Sequence, residues 1–130
     1  MSKKILYIED DPINRYLVKK LLTSKGYEVH EAENGNEGVS QSEAVQPHLI
    51  LMDMQMPGLD GYEATKQIKA KPGLGNIPII ALTAHALHDE KEKCMAAGCD
   101  GFIPKPIDVL KFPDQIAQFL LEFPAFPSPA

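Results

Sequence analysis

Apolar residues along this chain fall into five short runs, and a stretch with helical character follows each of them. The first run, Ile5 to Ile8, precedes a segment in which Ile13, Leu17, Val18, Leu21 and Leu22 form a helical stripe. Pro12 suits the first turn of that helix, and Gly26 closes it. Tyr27 to Ala32 alternates, which predicts a second, less buried strand. Asn34-Gly35 reads as a turn and Glu37 to Val45 as a weaker helix. His48 to Met52 is a strand of buried type that ends on Asp53. Pro57, Gly58 and Gly61 predict a loop, and Tyr62 to Lys71 a helix broken by Pro72, Gly73 and Gly75. The fourth run, Ile77 to Leu82, ends on Thr83, and Asp89 to Ala97 reads as a charged helix stopped by Gly98. The fifth run, Gly101 to Ile103, leads to Pro104-Lys105-Pro106. Ile116, Phe119, Leu120 and Phe123 form a last helical stripe, with Pro113 at its first turn. The stretch from Pro124 to Ala130 holds three prolines and predicts a frayed or extended tail.

Strand and helix in alternation imply parallel strands joined by right-handed crossovers, so the fold class is α/β, a doubly wound parallel sheet. Near-continuous apolar strands fit a sheet covered on both faces. The chain of 130 residues fits one domain, expected over residues 1–123, with a Pro-rich tail at 124–130 and no output domain. A net charge of −5 argues against a broad nucleic-acid or anionic-membrane surface. No apolar segment approaches the ~20 residues of a membrane span. The run Ile5 to Ile8 is too short for a signal-peptide core, so a cytoplasmic location is expected. Cys94 and Cys99 are expected to be reduced thiols near a helix end, since no second Cys pair completes a zinc site.

Ligands of open parallel α/β sheets bind outside the carboxyl ends of the strands, so the residue ending each strand matters most. Strand one ends in Glu9-Asp10-Asp11, strand three in Asp53 and strand four in Thr83, and strand five is followed by Lys105. Strand two delivers Glu31 and Glu33, which read as solvated surface. Each residue alone has a plainer reading. An Asp after a strand is often a helix cap, the reading preferred for Asp11 before Pro12; a lone Thr is often a turn former, and a lone Lys a surface charge. The combination is far more specific, because all must converge on one edge. Carboxylates forced together repel and invite a hard divalent cation, and an oxygen-only ligand set fits Mg²⁺ better than zinc or copper. Lys105 and the Thr83 hydroxyl would then suit phosphate oxygens, and a carboxylate nucleophile at Asp53 would form an aspartyl phosphate.

This pattern resembles the receiver domain of two-component response regulators. The residues that carry the resemblance are Glu9-Asp10, Asp53, Thr83-Ala84 and Lys105-Pro106, with Pro57-Gly58 and Asp60-Gly61 after the acceptor. It runs from about Lys3 to Phe123. The stretches Thr83 to Leu87 and Cys94 to Gly98 also resemble receivers of hybrid sensor kinases and stand-alone relay receivers. The resemblance implies a (βα)₅, flavodoxin-like fold with strand order 2-1-3-4-5. It implies Asp53 as phosphoacceptor, Asp10 as a direct Mg²⁺ ligand, Glu9 as a ligand mainly through water, and the backbone carbonyl of Gln55 as the remaining protein ligand. Thr83 and Lys105 should hold phosphoryl oxygens, and the Lys105-Pro106 bond should be cis. Gln55 and His85 occupy positions that tune phosphoryl lifetime in this family.

The resemblance further implies a switch pair, Thr83 with Phe102. Phe102 lacks the hydroxyl of the frequent tyrosine, and a constitutively buried Phe is the open alternative. Phosphorylation adds about −1.5 to −2 charge, and the output is expected on the face of the Asp89–Ala97 helix, strand five and the last helix. Candidate contacts there are Leu87, Lys91, Met95, Ile107 and Phe112. The donor is expected to be a phosphohistidine on a histidine kinase or phosphotransfer domain, docking near Pro12 to Val18, and the target a downstream protein. Two rival readings differ in chemistry. A phosphatase of the haloacid-dehalogenase-like class needs a second carboxylate where Gln55 stands, and a pseudo-receiver usually lacks part of the acid cluster or the Lys. His85 and His88 could imitate a metal pair but have no third ligand nearby. The chain is thus expected to be a phosphoacceptor rather than an enzyme.

Overall fold

Alternate residues of a strand face opposite sides of a sheet, and five strands use that rule here to feed two separate apolar layers. The computed structural model describes residues 3–56, 58–84 and 88–123. Its elements alternate: β1 (Lys4–Ile8), α1 (Pro12–Thr23), β2 (Glu28–Ala32), α2 (Gly35–Val45), β3 (Leu49–Asp53), α3 (Gly61–Ala70), β4 (Ile79–Thr83), α4 (His88–Ala97), β5 (Gly101–Pro104) and α5 (Phe112–Glu122). The sheet has the order β2-β1-β3-β4-β5, and every pairing is parallel. This is the flavodoxin-like topology that the sequence led us to expect. Every residue of β3 and β4 is buried, whereas the edge strand β2 is mostly half-exposed. Leu6, Ile8, Ile50, Met52 and Ile79 pack with Val39, Ala64, Ile68 and Cys94 from α2, α3 and α4. Ile5, Tyr7, Leu49, Leu51, Ile80 and Leu82 pack with Val18 and Leu22 of α1 and with Phe112 and Ile116 of α5.

Local chemistry sets the helix starts. Asp11 caps α1, its carboxylate accepting the Ile13 N–H at 2.9 Å, with Pro12 next. Asn34 and Gly35 are not a free turn, as their composition suggested. The Asn34 side chain accepts the Glu37 N–H at 2.8 Å, so α2 begins at Gly35. Asp60 caps α3 in the same way, through the Glu63 N–H at 2.9 Å. Strand β4 starts two residues later than the apolar run, and Phe123 falls just beyond α5. Phe112, expected on a contact face, is fully buried in the α1–α5 layer and cannot meet a partner. Cys94 and Cys99 are buried free thiols. Pro57, His85, Leu87, the His88 side chain and the tail 124–130 lie outside the described residues.

The loop after β3 leaves no room at one point. A Cβ on Gly61 would lie 2.7 Å from the Asp53 carbonyl oxygen and 2.7 Å from the Met54 Cα, so the first turn of α3 rests on the backbone of the strand end. Gly61→Ala is expected to destabilise the protein by about 1–3 kcal/mol, as overpacking does. Urea unfolding measures this, and an unchanged midpoint would mean that the segment after Asp53 yields freely.

Candidate functional site

The carboxyl ends of β1, β3, β4 and β5 converge on one edge and bring six of the seven predicted site residues together. Glu9 and Asp53 are each only 1 % exposed, while Asp10 is open to solvent. One carboxylate oxygen from each of Glu9, Asp10 and Asp53 lies within 4.8 Å of the others. The Lys105 ammonium reaches over the end of β4 into this group. It lies 3.1 Å from Glu9 Oε1 and 3.2 Å from Asp53 Oδ1. Its backbone N–H donates to the Thr83 carbonyl at 2.7 Å, and the following Lys105-Pro106 bond is cis, as expected.

Gln55 does more than its sequence position suggested. Its backbone N–H donates to Asp53 Oδ1 at 3.1 Å. Its side-chain Nε2 donates to Thr83 Oγ1 at 3.1 Å, and its Oε1 accepts the Ala84 N–H at 3.2 Å. One residue thereby links the carboxylate of β3 to the end of β4. Phe102, the seventh residue, stands apart on β5 beside Ala81 of β4. It is half-buried against the α2–α4 layer, with the Lys91 ammonium 5.9 Å from its ring centroid. Phe102 is thus partly buried, neither fully enclosed nor open to solvent.

Electrostatics separate the two buried carboxyls. Burial, then the hydrogen bond and charge of Glu9, push Asp53 up to about 7, against the opposing Gln55 N–H and Lys105. Burial alone would raise Glu9 too, but hydrogen bonding with Asp53 and Lys105, the Lys105 charge and the Tyr7 hydroxyl bring it down to about 2. Burial would lower Lys105, but the Asp53 and Glu9 charges outweigh it and raise its pKa. Without a cation, the two buried carboxyls beside Lys105 thus act as a pair, in which burial and mutual repulsion favour holding one proton between them.

Three residues that sequence reasoning passed over complete the surroundings. The Tyr7 hydroxyl donates to Glu9 Oε1 at 2.9 Å. Asn14 Nδ2 approaches the same oxygen at 3.5 Å. Arg15 Nη1 donates to the Glu9 carbonyl at 2.8 Å, and its Nη2 lies 3.6 Å from Glu33, which is exposed as expected but not alone. A signal for Tyr7 existed. It is a phenol in an otherwise aliphatic run, two residues before Glu9, a spacing that puts both side chains on one face of an extended strand.

The donor set suits a hard divalent cation. It consists of carboxylate oxygens, two of them buried and one open to solvent, with no thiolate or imidazole among them. There is also no second acid two residues after Asp53, where Gln55 spends its amide on Thr83 and Ala84.

Comparison with known proteins agrees with this geometry. The family model for the response regulator receiver domain matches residues 5–117. The polar-differentiation response regulator DivK of Brucella anthropi is 38% identical over 120 residues, covering 92% of this chain and 98% of DivK. DivK of Brucella ovis is 37% identical over 120 residues, with the same coverage of 92% and 98%. The receiver domain of a Pseudomonas aeruginosa sensor histidine kinase was solved with a magnesium ion coordinated in its active site cleft. It matches with a TM-score of 0.84 at 34% identity, over 97% of this chain and 100% of that domain. A Vibrio cholerae chemotaxis protein matches with a TM-score of 0.84 at 26% identity, over 95% of this chain and 99% of that one. With its strand order, its crowded acidic edge and a family match over most of its length, this chain belongs to the receiver domains of two-component response regulators.

Proposed function

We propose that this receiver is a phosphoacceptor switch in which Asp53 takes a phosphoryl group from a phosphohistidine donor. The observation that carries this reading is the convergence of Glu9, Asp10 and Asp53 within 4.8 Å beside the Lys105 ammonium and the end of β4. An Asp53 carboxylate oxygen bonds to phosphorus, the phosphorus–nitrogen bond of the donor breaks, and its electron pair returns to the imidazole. Glu9, Asp10, Asp53 and the Gln55 backbone carbonyl would hold Mg²⁺, which supplies positive charge that favours ionised Asp53 and balances the transferred group. Lys105 turns from Glu9 toward a phosphoryl oxygen, and the Thr83 hydroxyl and Ala84 N–H donate to others. For this the Ala84 N–H must leave Gln55 Oε1. The protein is in this reading a signalling element rather than an enzyme with a released product.

The donor surface is also suggested by the chemistry of the edge. Ile13 and Tyr16 of α1 are 76% and 66% exposed, beside a cavity of about 280 Å³ bounded by Leu17, Lys105, Pro106 and Ile107. An apolar helix face of a histidine kinase or phosphotransfer domain fits there, with its imidazole toward Asp53. The output surface is the face of α4, β5 and α5, where Lys91, Met95 and Phe102 are accessible and a downstream protein binds.

Incubation with a small-molecule phosphodonor and Mg²⁺ should add one phosphoryl group by intact mass, and Asp53→Asn should abolish the gain. No gain, or a gain that survives Asp53→Asn, would sink the proposal. Ionisation of Asp53 has a separate signature in the metal-free protein. Its folded pKa of about 7 exceeds the ordinary 3.8, so the stability it contributes is complete below about pH 4 and is lost as pH rises through about 7. Asp53→Asn should therefore gain stability relative to the unsubstituted chain as pH rises from about 4 to about 7. Denaturation midpoints test this, and a constant offset would show that Asp53 titrates normally. Beryllium fluoride with Mg²⁺, as a phosphoryl mimic, should change amide exchange in α4, β5 and α5. Unchanged exchange across all three would remove them as the output face.

A further inference from the structure

We infer that Tyr7 is a positioning residue for the acidic pocket, holding Glu9 Oε1 from within the core so that Oε2 stays turned toward the cation-binding side. The inference rests on the Mg²⁺ reading of the site given above. Tyr7 is fully buried in β1 between Leu6 and Ile8, and it packs in the layer with Val18, Leu49 and Leu51. A phenyl ring would fill that space equally well. The hydroxyl is costly to bury unless it is bonded, and its bond is the one to Glu9 Oε1 at 2.9 Å.

The carboxylate of Glu9 is held unevenly. Oε1 receives Tyr7, Lys105 at 3.1 Å and Asn14 at 3.5 Å. Oε2 meets the Asp11 backbone N–H at a long 3.5 Å. Of the donors on Oε1, Lys105 is shared with Asp53 at 3.2 Å and is the group expected to swing toward a phosphoryl oxygen. Asn14 is distant and half-exposed, and the hydrogen bond that Glu9 shares with the Asp53 carboxyl is lost once Asp53 is ionised beside a cation. Tyr7 lies in a central strand and cannot follow Lys105. It is therefore the donor that keeps Glu9 aimed when Lys105 departs. Outer groups that orient metal ligands in this way typically alter metal affinity by about 10–100-fold when removed.

The test is a Mg²⁺ titration followed by the amide resonances of Asp10 and Asp53, with urea unfolding as a check on the fold. Tyr7→Phe, which removes one oxygen, is expected to weaken Mg²⁺ binding about tenfold. In a Glu9→Gln background the same substitution should change it less than about twofold, because the group through which Tyr7 acts has been altered. A second readout needs no change at Tyr7. In the unsubstituted chain the Tyr7 Cζ resonance should shift on Mg²⁺ addition, and in Glu9→Gln it should not. Equal loss in both backgrounds would reduce Tyr7 to a packing residue and overturn the inference. So would unchanged affinity in a folded Tyr7→Phe protein, or a Cζ resonance indifferent to Mg²⁺. Failure of the unsubstituted chain to bind Mg²⁺ at all would overturn the metal-site reading itself, and this inference with it.

Discussion

Two carboxyls buried side by side each make the other harder to ionise, and both lose the water that would screen them. Glu9 and Asp53 are in this position because β1 and β3 are neighbours in the sheet and their pairing runs to Ile8 and Met52, the residues just before the two acids. Much of the edge can be understood as compensation for that pair. Lys105 supplies the cation, Gln55 and Tyr7 supply donors, and Arg15 fixes the carbonyl of Glu9 from α1. The arrangement depends on strand order. Lys105 follows β5, two strands away from β3, and reaches the acids over the end of β4 because its backbone is pinned to Thr83. A different order of the same five strands would leave the acids without their counterion.

Packing beneath the edge serves the same end. The two apolar layers divide the strand residues strictly by parity, which leaves the strand termini as the place where polar side chains can gather. Gly61 lets α3 start against the Asp53 backbone, so the segment that carries Gln55 has a fixed return path. Glu9 and Asp53 are consequently held by neighbours from β1 and α1 and from the loops after β3 and β5.

Much of this was legible in the sequence, and what was not has identifiable reasons. Strands β3 and β4 are continuous apolar runs, so both their existence and the chemistry at their ends could be read directly. Asn34 was ambiguous because the residue that favours a turn also caps a helix. Phe112 lies four residues before Ile116, and the helical stripe extended by one turn would have put it in the core. Phe102 could not be assigned an orientation, since its half-buried position depends on Lys91 from a neighbouring helix. The Gln55 amide contacts cross from one loop to another, and no local pattern encodes such a distance.

That amide has a consequence for how information can pass through the domain. Gln55 joins the Asp53 carboxylate to Thr83 and Ala84 by three hydrogen bonds, with no intervening element. Coupling between two sites is a free energy and is the same in either direction. A protein that grips α4 and prefers one arrangement of Thr83 must therefore change the affinity at Asp53 by the factor with which occupancy of Asp53 changes its own binding. In the proposed reading the receiver is in this sense readable from both ends: a target on that face would have a thermodynamic hold on Asp53 as well as the reverse.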